Sequence, residues 1–269
     1  AHAGRKASSH TPWDGGKLMQ ASAGGWEPIA PSAVPFSPSE QPPREMNTTD
    51  LDRVRDAFVH AAQRAARIGI DAIELHAAHG YLLHEFLSPL ANRRSDGYGG
   101  SLENRMRFPL EVFSAVRKVW PEAKPLGARI SASDWIEGGW DLPQSIEFAQ
   151  RLKRAGCDWI DASSGGLAPE QKITLVPGYQ VPFAEAIRKA VGIPTIAIGL
   201  ITEPRQAEDI VASGKADLVA LARGMLFDPH WAWRAAAELG GQVSAPKQYW
   251  RAPPRGAETI FRGAKAGQR

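Results

Sequence analysis

Two histidines and a tyrosine follow the short apolar run A-I-E-L, and their side chains can bind an oxygen and move a proton. His76 and His79 stand three residues apart, and Tyr81 comes two residues later. A neutral imidazole donates an N–H, so two of them aimed at one oxygen would polarise a carbonyl, and the phenol would pass a proton to the neighbouring carbon. We therefore interpret the group as a hydrogen-bonding clamp with an acid beside it.

A metal site is the alternative for the same residues. It needs a third ligand, for which His84 or Glu85 is available. However, H-A-A-H has a spacing of three residues instead of the four of the H-E-x-x-H zinc motif, and it follows a strand instead of lying within a long helix. This spacing disfavours a metal, and we predict none.

A second group of residues is typical of an anion site. The apolar run 194–199 ends at Gly199, where the backbone can approach a ligand, and a helix is predicted to begin near Thr202. The next apolar run ends at Ala222 and Arg223, again just before a helix. Free N–H groups at helix N-termini bind anions, and an arginine adds a charge-assisted contact. Either strand end alone would suit a tight turn or a surface ion pair, but the two together favour a phosphate.

Arg129 lies near the end of the run L-G-A-R-I-S. Its guanidinium must meet a carboxylate or an electron-rich ligand, because burying it unpaired is costly. Glu74 and Asp161 are candidate structural partners. The residues alone leave the structural and the ligand-binding interpretations of Arg129 equally open.

Short apolar runs alternate with amphipathic helices from about residue 50 onward. The predicted strands are 71–75, 126–131, 159–164, 194–199 and 218–223. The predicted helices begin near Thr48 and Ser101, with a kink or restart at Pro109, and extend over about 142–155, 182–190, 203–213 and 229–239. Strands that are apolar on both faces and separated by helices predict a parallel sheet covered by helices.

The predicted fold class is α/β, and a (β/α)8 TIM barrel is favoured over an open doubly wound sheet. Barrel enzymes build their sites at the carboxyl ends of the strands. Polar, charged or glycine residues occupy these ends in succession: His76, Arg129, Ser163, Gly199 and Arg223. A doubly wound fold would instead show one glycine-rich turn, and no G-x-G-x-x-G follows a predicted strand. Five strands are clear, and Ala1–His2 is a candidate stub of a sixth.

Composition and charge limit the kinds of partner. The formal charge is only +3 and is spread along the chain, so we expect no nucleic acid partner. No apolar run has the length of a membrane span, and the N-terminus lacks the apolar region of a signal peptide, so we expect a cytoplasmic protein without membrane contact. The single cysteine, Cys157, excludes an internal disulfide and a multi-cysteine metal or iron–sulfur site.

Residues 4–49 have no helical period and are rich in Pro, Gly and Ser. A loop of this length is too long to be a simple connection, and we expect it to act as a lid or binding surface. A flexible terminus is the alternative.

Longer motifs make the sequence resemble the Old Yellow Enzyme family of flavin-dependent ene-reductases, in particular its bacterial thermophilic-like branch. The matching segments are 1–7, 74–105, 127–131, 177–188, 197–202 and 221–231. The most specific of them is 74–105, which begins with E-L-H-A-A-H-G-Y-L-L-H-E-F-L-S-P and ends at Arg105. The resemblance implies a TIM barrel that holds FMN at the carboxyl ends of its strands, with NADPH or NADH as the hydride donor.

The resemblance implies roles for the residues of the clamp. His76 and His79 match the pair that binds the carbonyl or nitro oxygen of an activated alkene, which makes a small-molecule alkene the expected substrate. Tyr81 matches the tyrosine that protonates the α-carbon. Arg129 is similar to the arginine beside N1 and O2 of the flavin.

The resemblance also implies a phosphate site and an intersubunit residue. The cofactor-binding positions correspond to Gly199, Leu200, Ala222 and Arg223, although relatives often have Gly where Ala222 stands. The segment Q-Y-W-R-A-P places Arg251 where this branch carries an arginine into the active site of a neighbouring subunit. Arg251 is therefore a candidate substrate-binding residue, and a homo-oligomer is expected.

The resemblance begins within the third-strand motif of the family, which implies that the first two βα units of the barrel are missing from the sequence. Three alternatives remain open: the molecule carries those units, a separate chain supplies them, or the chain is a fragment that oligomerises. We favour the first. We expect residues 1–240 to form the partial barrel, with 4–49 as its lid, and 241–269 to form a C-terminal extension that contacts a neighbouring subunit.

Three functions compete at this point. The first is FMN-dependent reduction of activated C=C bonds by NAD(P)H. The second is a truncated, non-catalytic barrel that serves as a subunit or scaffold and no longer binds flavin. The third is a metal-dependent barrel hydrolase that uses His76, His79 and His84. A sister group of similar barrels reduces dienoyl-CoA esters with an iron–sulfur cluster, which Cys157 alone cannot hold.

Overall fold

A computed structural model describes residues 1–264 of the chain. The last five residues of the predicted C-terminal extension lie outside the described residues. The structure begins with a short parallel ribbon of β1 (Ile29–Ala30) and β2 (Arg44–Glu45). The elements that follow, in chain order, are α1 (Thr48–Arg67), β3 (Ile73–Ala77), α2 (Leu82–Leu87), α3 (Leu102–Val119), β4 (Leu126–Ser131), α4 (Leu142–Arg154), β5 (Ile160–Ser163), α5 (Val181–Val191), β6 (Thr195–Ala197), α6 (Pro204–Ala212), β7 (Leu218–Val219), α7 (Arg223–Phe227) and α8 (Trp231–Leu239).

The central element is a five-stranded parallel sheet with the order β3-β4-β5-β6-β7. This order confirms the predicted parallel α/β arrangement. In the register of the sheet, His76 is paired with Arg129, and Arg129 with Asp161. Because paired residues of neighbouring strands point to the same face, these three side chains form one row across the sheet. The sheet does not close into a barrel within residues 1–264, where β3 and β7 are its edges.

The helices begin and end where local chemistry satisfies their terminal groups. At the start of α1, the Asn47 side chain accepts the Asp50 N–H and the Asp50 carboxylate accepts the Asn47 N–H, which forms a capping box. The predicted restart of α3 at Pro109 is wrong, since the helix is continuous through this residue. Phe108 and Val112 beside it are fully buried, and packing of this kind stabilises a helix more than one hydrogen bond does.

Three further predictions about elements are wrong. Ala1–His2 forms no strand; instead the His2 carbonyl accepts the Leu82 N–H at 3.0 Å. β3 begins and ends two residues later than predicted, so His76 lies within the strand. β7 is only two residues long, because the chain turns into α7 at Arg223.

The hydrophobic core lies between the sheet and its helices. Its large, fully buried side chains include Trp140, Phe86, Phe108, Phe113, Phe148, Met106 and Leu126. The 4–49 segment reaches the carboxyl ends of the strands at Arg5 and Lys6, where the buried Arg5 guanidinium donates to the Leu167 carbonyl at 2.5 Å. Across residues 1–264, no helix combines the length and the apolar character that a membrane span requires.

Candidate functional site

The turn after β3 positions the predicted clamp. His79 and Gly80 both adopt left-handed backbone conformations, with φ of 59° and 67°. The His79 N–H donates to the Ser131 hydroxyl at 2.8 Å. A Cβ on Gly80 would lie 2.1 Å from the Gly166 carbonyl oxygen, so only glycine fits there. These contacts with the ends of β4 and β5 fix the direction of the His79 and Tyr81 side chains.

The structure brings the three predicted rings together. The His76 ring centroid lies 5.0 Å from that of His79 and 5.5 Å from that of Tyr81. His76 Nε2 is buried and has no hydrogen-bond partner among the described residues. His79 Nε2 lies 2.5 Å from Ser163 Oγ. A ligand oxygen between the rings would therefore satisfy His76, beside the His79 ring that the Ser163 contact holds in place.

Burial keeps both imidazoles neutral. Together with the positive charge of the nearby Arg129, a smaller effect, it lowers the pKa of His76 to about 4 and that of His79 to about 3. At pH 7 each ring therefore carries one N–H and one lone pair. Two neutral rings side by side can donate hydrogen bonds without repelling each other.

Lys6 lies against the predicted proton donor. Its ammonium is 4.7 Å from the centroid of the Tyr81 ring and 4.9 Å from that of Phe36, within the range of cation–π contacts. It also donates to the carbonyls of His79, at 2.8 Å, and Gly166, at 3.1 Å. Lys6 lies in segment 1–7, which carries part of the resemblance, but the sequence alone predicted no role for it.

Arg129 forms an ion pair at the floor of the site. Its Nε lies 3.3 Å from Asp161 Oδ2, whereas Glu74 accepts the indole N–H of Trp159 at 2.9 Å. Asp161 is thus the structural partner of the two candidates. Burial raises the pKa of Asp161 to about 7, an effect that the Arg129 charge only partly offsets and to which Glu74 adds. Within residues 1–264, the contact between Arg129 Nε and Asp161 is an ion pair that is not aligned as a hydrogen bond.

The predicted anion site forms one wall of a cavity of about 430 Å³ at the carboxyl ends of β4 to β7. Gly199 and Leu200 both have positive φ, 105° and 51°. Leu226 N–H is bonded to the Ala222 carbonyl, so the earlier amides of α7, beginning with that of Arg223, have no carbonyl partner within the helix. These amides and the exposed Arg223 guanidinium suit an anion.

The other helix start lies two residues later than Thr202. α6 begins at Pro204, and the Thr202 N–H donates to Gln206 Oε1 at 3.2 Å. The amide of Thr202 is therefore occupied.

Most of the predicted site residues line this cavity. Those that line it are His79, Arg129, Gly199, Leu200, Ala222 and Arg223. His76 is not among the lining residues, and Tyr81 lines a neighbouring cleft of about 210 Å³ together with residues of the 4–49 segment. Arg251 is exposed and lines neither of these spaces.

The loop between β5 and α5 completes the cavity and was not predicted to contribute. From this loop Ser164, Gln171 and Gln180 line the cavity. Gln180 Oε1 accepts the hydroxyls of Ser164 at 2.6 Å and Ser163 at 3.3 Å. The P-G-Y-Q motif of the sequence contained Gln180, but nothing local to it indicated this contact with the residues that end β5.

His84 is not available as the third ligand of a metal site. Its Nδ1 accepts the Gly80 N–H at 2.8 Å, and its Nε2 lies 2.9 Å from Asp134 Oδ1. No cluster of three His, Cys, Asp or Glu residues suited to a metal occurs in the part of the chain that the structure describes. A larger groove, of about 660 Å³, lies on the outer surface between α1 and α3, away from all of the predicted site residues.

Known proteins resemble the chain over most of its length. It is 49% identical to the NADPH dehydrogenase of Geobacillus thermodenitrificans over 251 residues, which are 93% of this chain and 68% of that protein. It is 48% identical to the NADPH dehydrogenase of Bacillus velezensis over 252 residues, 94% of this chain and 69% of that one. The chain thus spans about two thirds of the length of these relatives.

Solved structures of two reductases superpose on the chain. Morphinone reductase superposes with a TM-score of 0.66 at 29% identity, over 90% of this chain and 65% of that one. A 2-naphthoyl-CoA reductase superposes with a TM-score of 0.71 at 33% identity, over 80% of this chain and 33% of that one.

The sequence also matches, over residues 2–242, the family described as NADH:flavin oxidoreductase / NADH oxidase. This match and the relatives confirm the resemblance to Old Yellow Enzymes and the expected cofactors, FMN and NAD(P)H. The chain therefore belongs to the NADH:flavin oxidoreductase / NADH oxidase family.

Proposed function

We propose that the protein reduces activated C=C bonds, those of α,β-unsaturated carbonyl or nitro compounds, with NAD(P)H. The observation that supports this most directly is the group of His76, His79 and Tyr81 at the end of β3. Two neutral imidazoles lie 5.0 Å apart, one of them with a buried and unpartnered Nε2 within residues 1–264, and a phenol lies 5.5 Å from the first. This arrangement is suited to an oxygen on one side and a carbon that accepts a proton on the other.

The residues of the cavity fit FMN. Its volume of about 430 Å³ lies in the range of roughly 300–1,000 Å³ that is usual for ligand sites. Arg223 and the amides of α7 would hold the phosphate, and the guanidinium of Arg129, which lines the same cavity, would face the electron-rich edge of the ring. A Cβ on Gly199 would lie 2.9 Å from Gln180 Nε2, so the glycine allows Gln180, which also lines the cavity, to pack against it. When bound, FMN takes a hydride from NAD(P)H and supplies one to the β-carbon of the alkene.

The side chains of the clamp have separate roles in this proposal. His76 and His79 hold the carbonyl or nitro oxygen of the alkene and stabilise the negative charge that develops on it. Tyr81 donates its phenolic proton to the α-carbon. Lys6 holds the Tyr81 ring and the His79 carbonyl together, since it contacts both.

We also propose that the five-stranded sheet is an arc of a TIM barrel and that the assembled enzyme is a homo-oligomer. The parallel strand order and the superposition with morphinone reductase support the barrel. The exposed position of Arg251 is compatible with a role in the active site of a neighbouring subunit.

An anaerobic spectroscopic titration tests the proposal. The purified protein with FMN is expected to show the yellow absorption of bound flavin, to bleach when NADPH or NADH is added under argon, and to regain colour with 2-cyclohexenone. Flavin that bleaches but does not recover with the enone would contradict the alkene as substrate. A folded oligomer that takes up no FMN would instead favour the scaffold alternative.

A further inference from the structure

A buried histidine and a buried aspartate that the mechanism above does not use stand directly behind the clamp. His84, on α2, and Asp134, in the loop after β4, are both inaccessible to solvent. His84 Nε2 lies 2.9 Å from Asp134 Oδ1. The contact is not aligned well enough for an ideal hydrogen bond, yet neither atom has another hydrogen-bond partner within residues 1–264. The two side chains therefore depend on each other.

The other atoms of this pair are firmly held. Asp134 Oδ2 accepts the Ser88 hydroxyl at 2.6 Å and the Trp140 N–H at 2.7 Å. On the opposite side, His84 Nδ1 accepts the N–H of Gly80 at 2.8 Å. A chain of contacts thus connects the loop after β4 to the middle of the turn that carries His79 and Tyr81.

The direction of the Gly80 contact determines where the proton of His84 lies. Because Gly80 N–H is a donor, Nδ1 must offer its lone pair and the ring proton must reside on Nε2, where it points to the Asp134 carboxylate. A ring with its proton on Nδ1 would place two N–H groups against each other at 2.8 Å. Asp134 therefore selects the tautomer that allows His84 to hold Gly80.

We infer that His84 and Asp134 are positioning residues: through the tautomer of His84 they hold the Gly80 amide, and thereby the His79 and Tyr81 side chains, in the geometry that alkene reduction requires. This inference rests on the proposed function in its consequence for catalysis. The contact between His84 and Gly80 does not depend on that function.

The left-handed turn explains why such a support is useful. His79 is a non-glycine residue with a φ of 59°, a left-handed conformation that is unfavourable for most side chains. A displacement of about 1 Å in a reacting group can slow a reaction about 100-fold. The Gly80 amide lies between the two side chains of the clamp, so its hydrogen bond restrains both.

The sharpest test is the nearly isosteric substitution Asp134→Asn. Since two donors already face the Oδ2 position, the amide oxygen of the asparagine will occupy it and the NH2 group will face His84. This NH2 group donates to Nε2, which moves the proton of His84 to Nδ1 and opposes the Gly80 N–H. Ser88→Ala is the matched control, because it removes one donor to Asp134 without changing what His84 meets.

Two measurements need no substrate. Nitrogen-15 NMR of the side chains is expected to show His84 with its proton on Nε2 in the wild type and in Ser88→Ala, and on Nδ1 in Asp134→Asn. Amide hydrogen exchange at Gly80 is expected to become about tenfold faster or more in Asp134→Asn, the effect of losing one hydrogen bond. Unchanged exchange at Gly80 in a folded Asp134→Asn protein would overturn the inference, whatever the activity.

The half-reactions with FMN-loaded protein test the catalytic consequence. In Asp134→Asn the reoxidation by 2-cyclohexenone should slow about 10- to 100-fold, while flavin reduction by NADPH should remain unchanged. Equal loss in both half-reactions would show a merely structural role. A wild type that fails to reduce the enone would refute the proposed function, and the NMR and exchange results would still decide the inference.

A second pair of variants applies if Asp134→Asn does not fold. The amide of His84→Asn can take the place of Nδ1 and accept the Gly80 N–H, whereas that of His84→Gln can reach Asp134 but leaves Gly80 without its acceptor. We expect His84→Asn to retain Gly80 protection and the alkene half-reaction, and His84→Gln to lose both. Parallel losses in the two variants would contradict a specific role for the Gly80 contact.

Discussion

His79 Nε2 lies 2.5 Å from Ser163 Oγ, and this contact joins the turn after β3 to the end of β5. Because it orients the imidazole towards the cavity, Ser163→Ala should weaken binding of the alkene. The loss of one hydrogen bond predicts a KM for 2-cyclohexenone about tenfold higher. Ser164→Ala is the control, since Ser164 also donates to Gln180 but does not contact His79. A similar rise in KM for both variants would point to Gln180 instead of His79.

Replacing the phenol of Tyr81 tests its role as proton donor. Tyr81→Phe keeps the ring against Lys6 but removes the acidic hydroxyl. We expect reoxidation of the flavin by the alkene to slow about 100-fold or more, as is usual for loss of a general acid, while reduction by NADPH stays nearly intact. Stopped-flow absorbance at the flavin bands measures both steps. Equal loss in the two half-reactions would remove the assignment of Tyr81.

Gly199→Ala tests whether the close packing of Gly199 against Gln180 and Tyr179 shapes the cavity for FMN. The added Cβ would meet Gln180 and Tyr179 at 2.9 and 3.1 Å, in a residue with a φ of 105°. Gly214→Ala is the matched control, because Gly214 also has positive φ but only Arg188 lies near its Cβ, at 3.9 Å, outside the cavity. Both should lose about 1–2 kcal/mol of stability. Only Gly199→Ala should raise the Kd for FMN in a fluorescence titration; an equal effect from Gly214→Ala would contradict this.

The stability of the protein should fall as the pH rises from about 6.5 to 8. Burial raises the pKa of Glu85 to about 8, an effect that the Arg5 charge and backbone N–H and the Lys6 charge only partly offset. The folded state therefore binds a proton that the unfolded chain has released, and the free energy of unfolding decreases with pH, by at most about 1.4 kcal/mol per pH unit for one proton. Asp161 acts in the same direction up to about pH 7.

The histidines of the clamp change the free energy of unfolding in the opposite direction, but in a lower pH range. Their lowered pKa values cost stability only as the pH falls below about 6.5, where the unfolded chain takes up protons first.

The variant Glu85→Gln tests the contribution of Glu85, since it keeps an acceptor for Arg5 N–H and cannot titrate. Urea unfolding at several pH values should therefore show a smaller decrease between pH 6.5 and 8 in this variant. An unchanged slope would show that Glu85 is ionised in the folded state.

The alternation of strands and helices could be predicted because it depends on local periodicity. α1, α4 and α5 have clear amphipathic patterns and caps or glycine ends close to the predicted ones. The short helix α2 was missed because one or two turns contain too few residues to show a helical period, whereas a helix was predicted directly after Arg223, where α7 lies. The start of α2 depends on a contact with a distant residue, the hydrogen bond from Leu82 N–H to the His2 carbonyl.

The candidate site was predictable in part for a similar reason. Carboxyl ends of parallel strands meet at one edge of the sheet, so Arg129, Gly199 and Arg223 could be assigned to a common cavity from the strand order alone. The support of the clamp could not be predicted. His84 and Asp134 are fifty residues apart in the sequence, and only the packing of α2 against the loop after β4 shows that they meet.

The loop between β5 and α5 has both ends in the cavity and an exposed middle. Ser164 and Gln180 line the cavity, whereas the side chains of Leu175 and Val176 are 64% and 49% exposed. A molecule that contacts both ends will restrict the fluctuations of the segment between them. Cleavage by a protease at the Leu175–Val176 segment should therefore slow in proportion to the fraction of cavities that hold a ligand. The rate of cleavage then measures ligand binding without a change in absorbance.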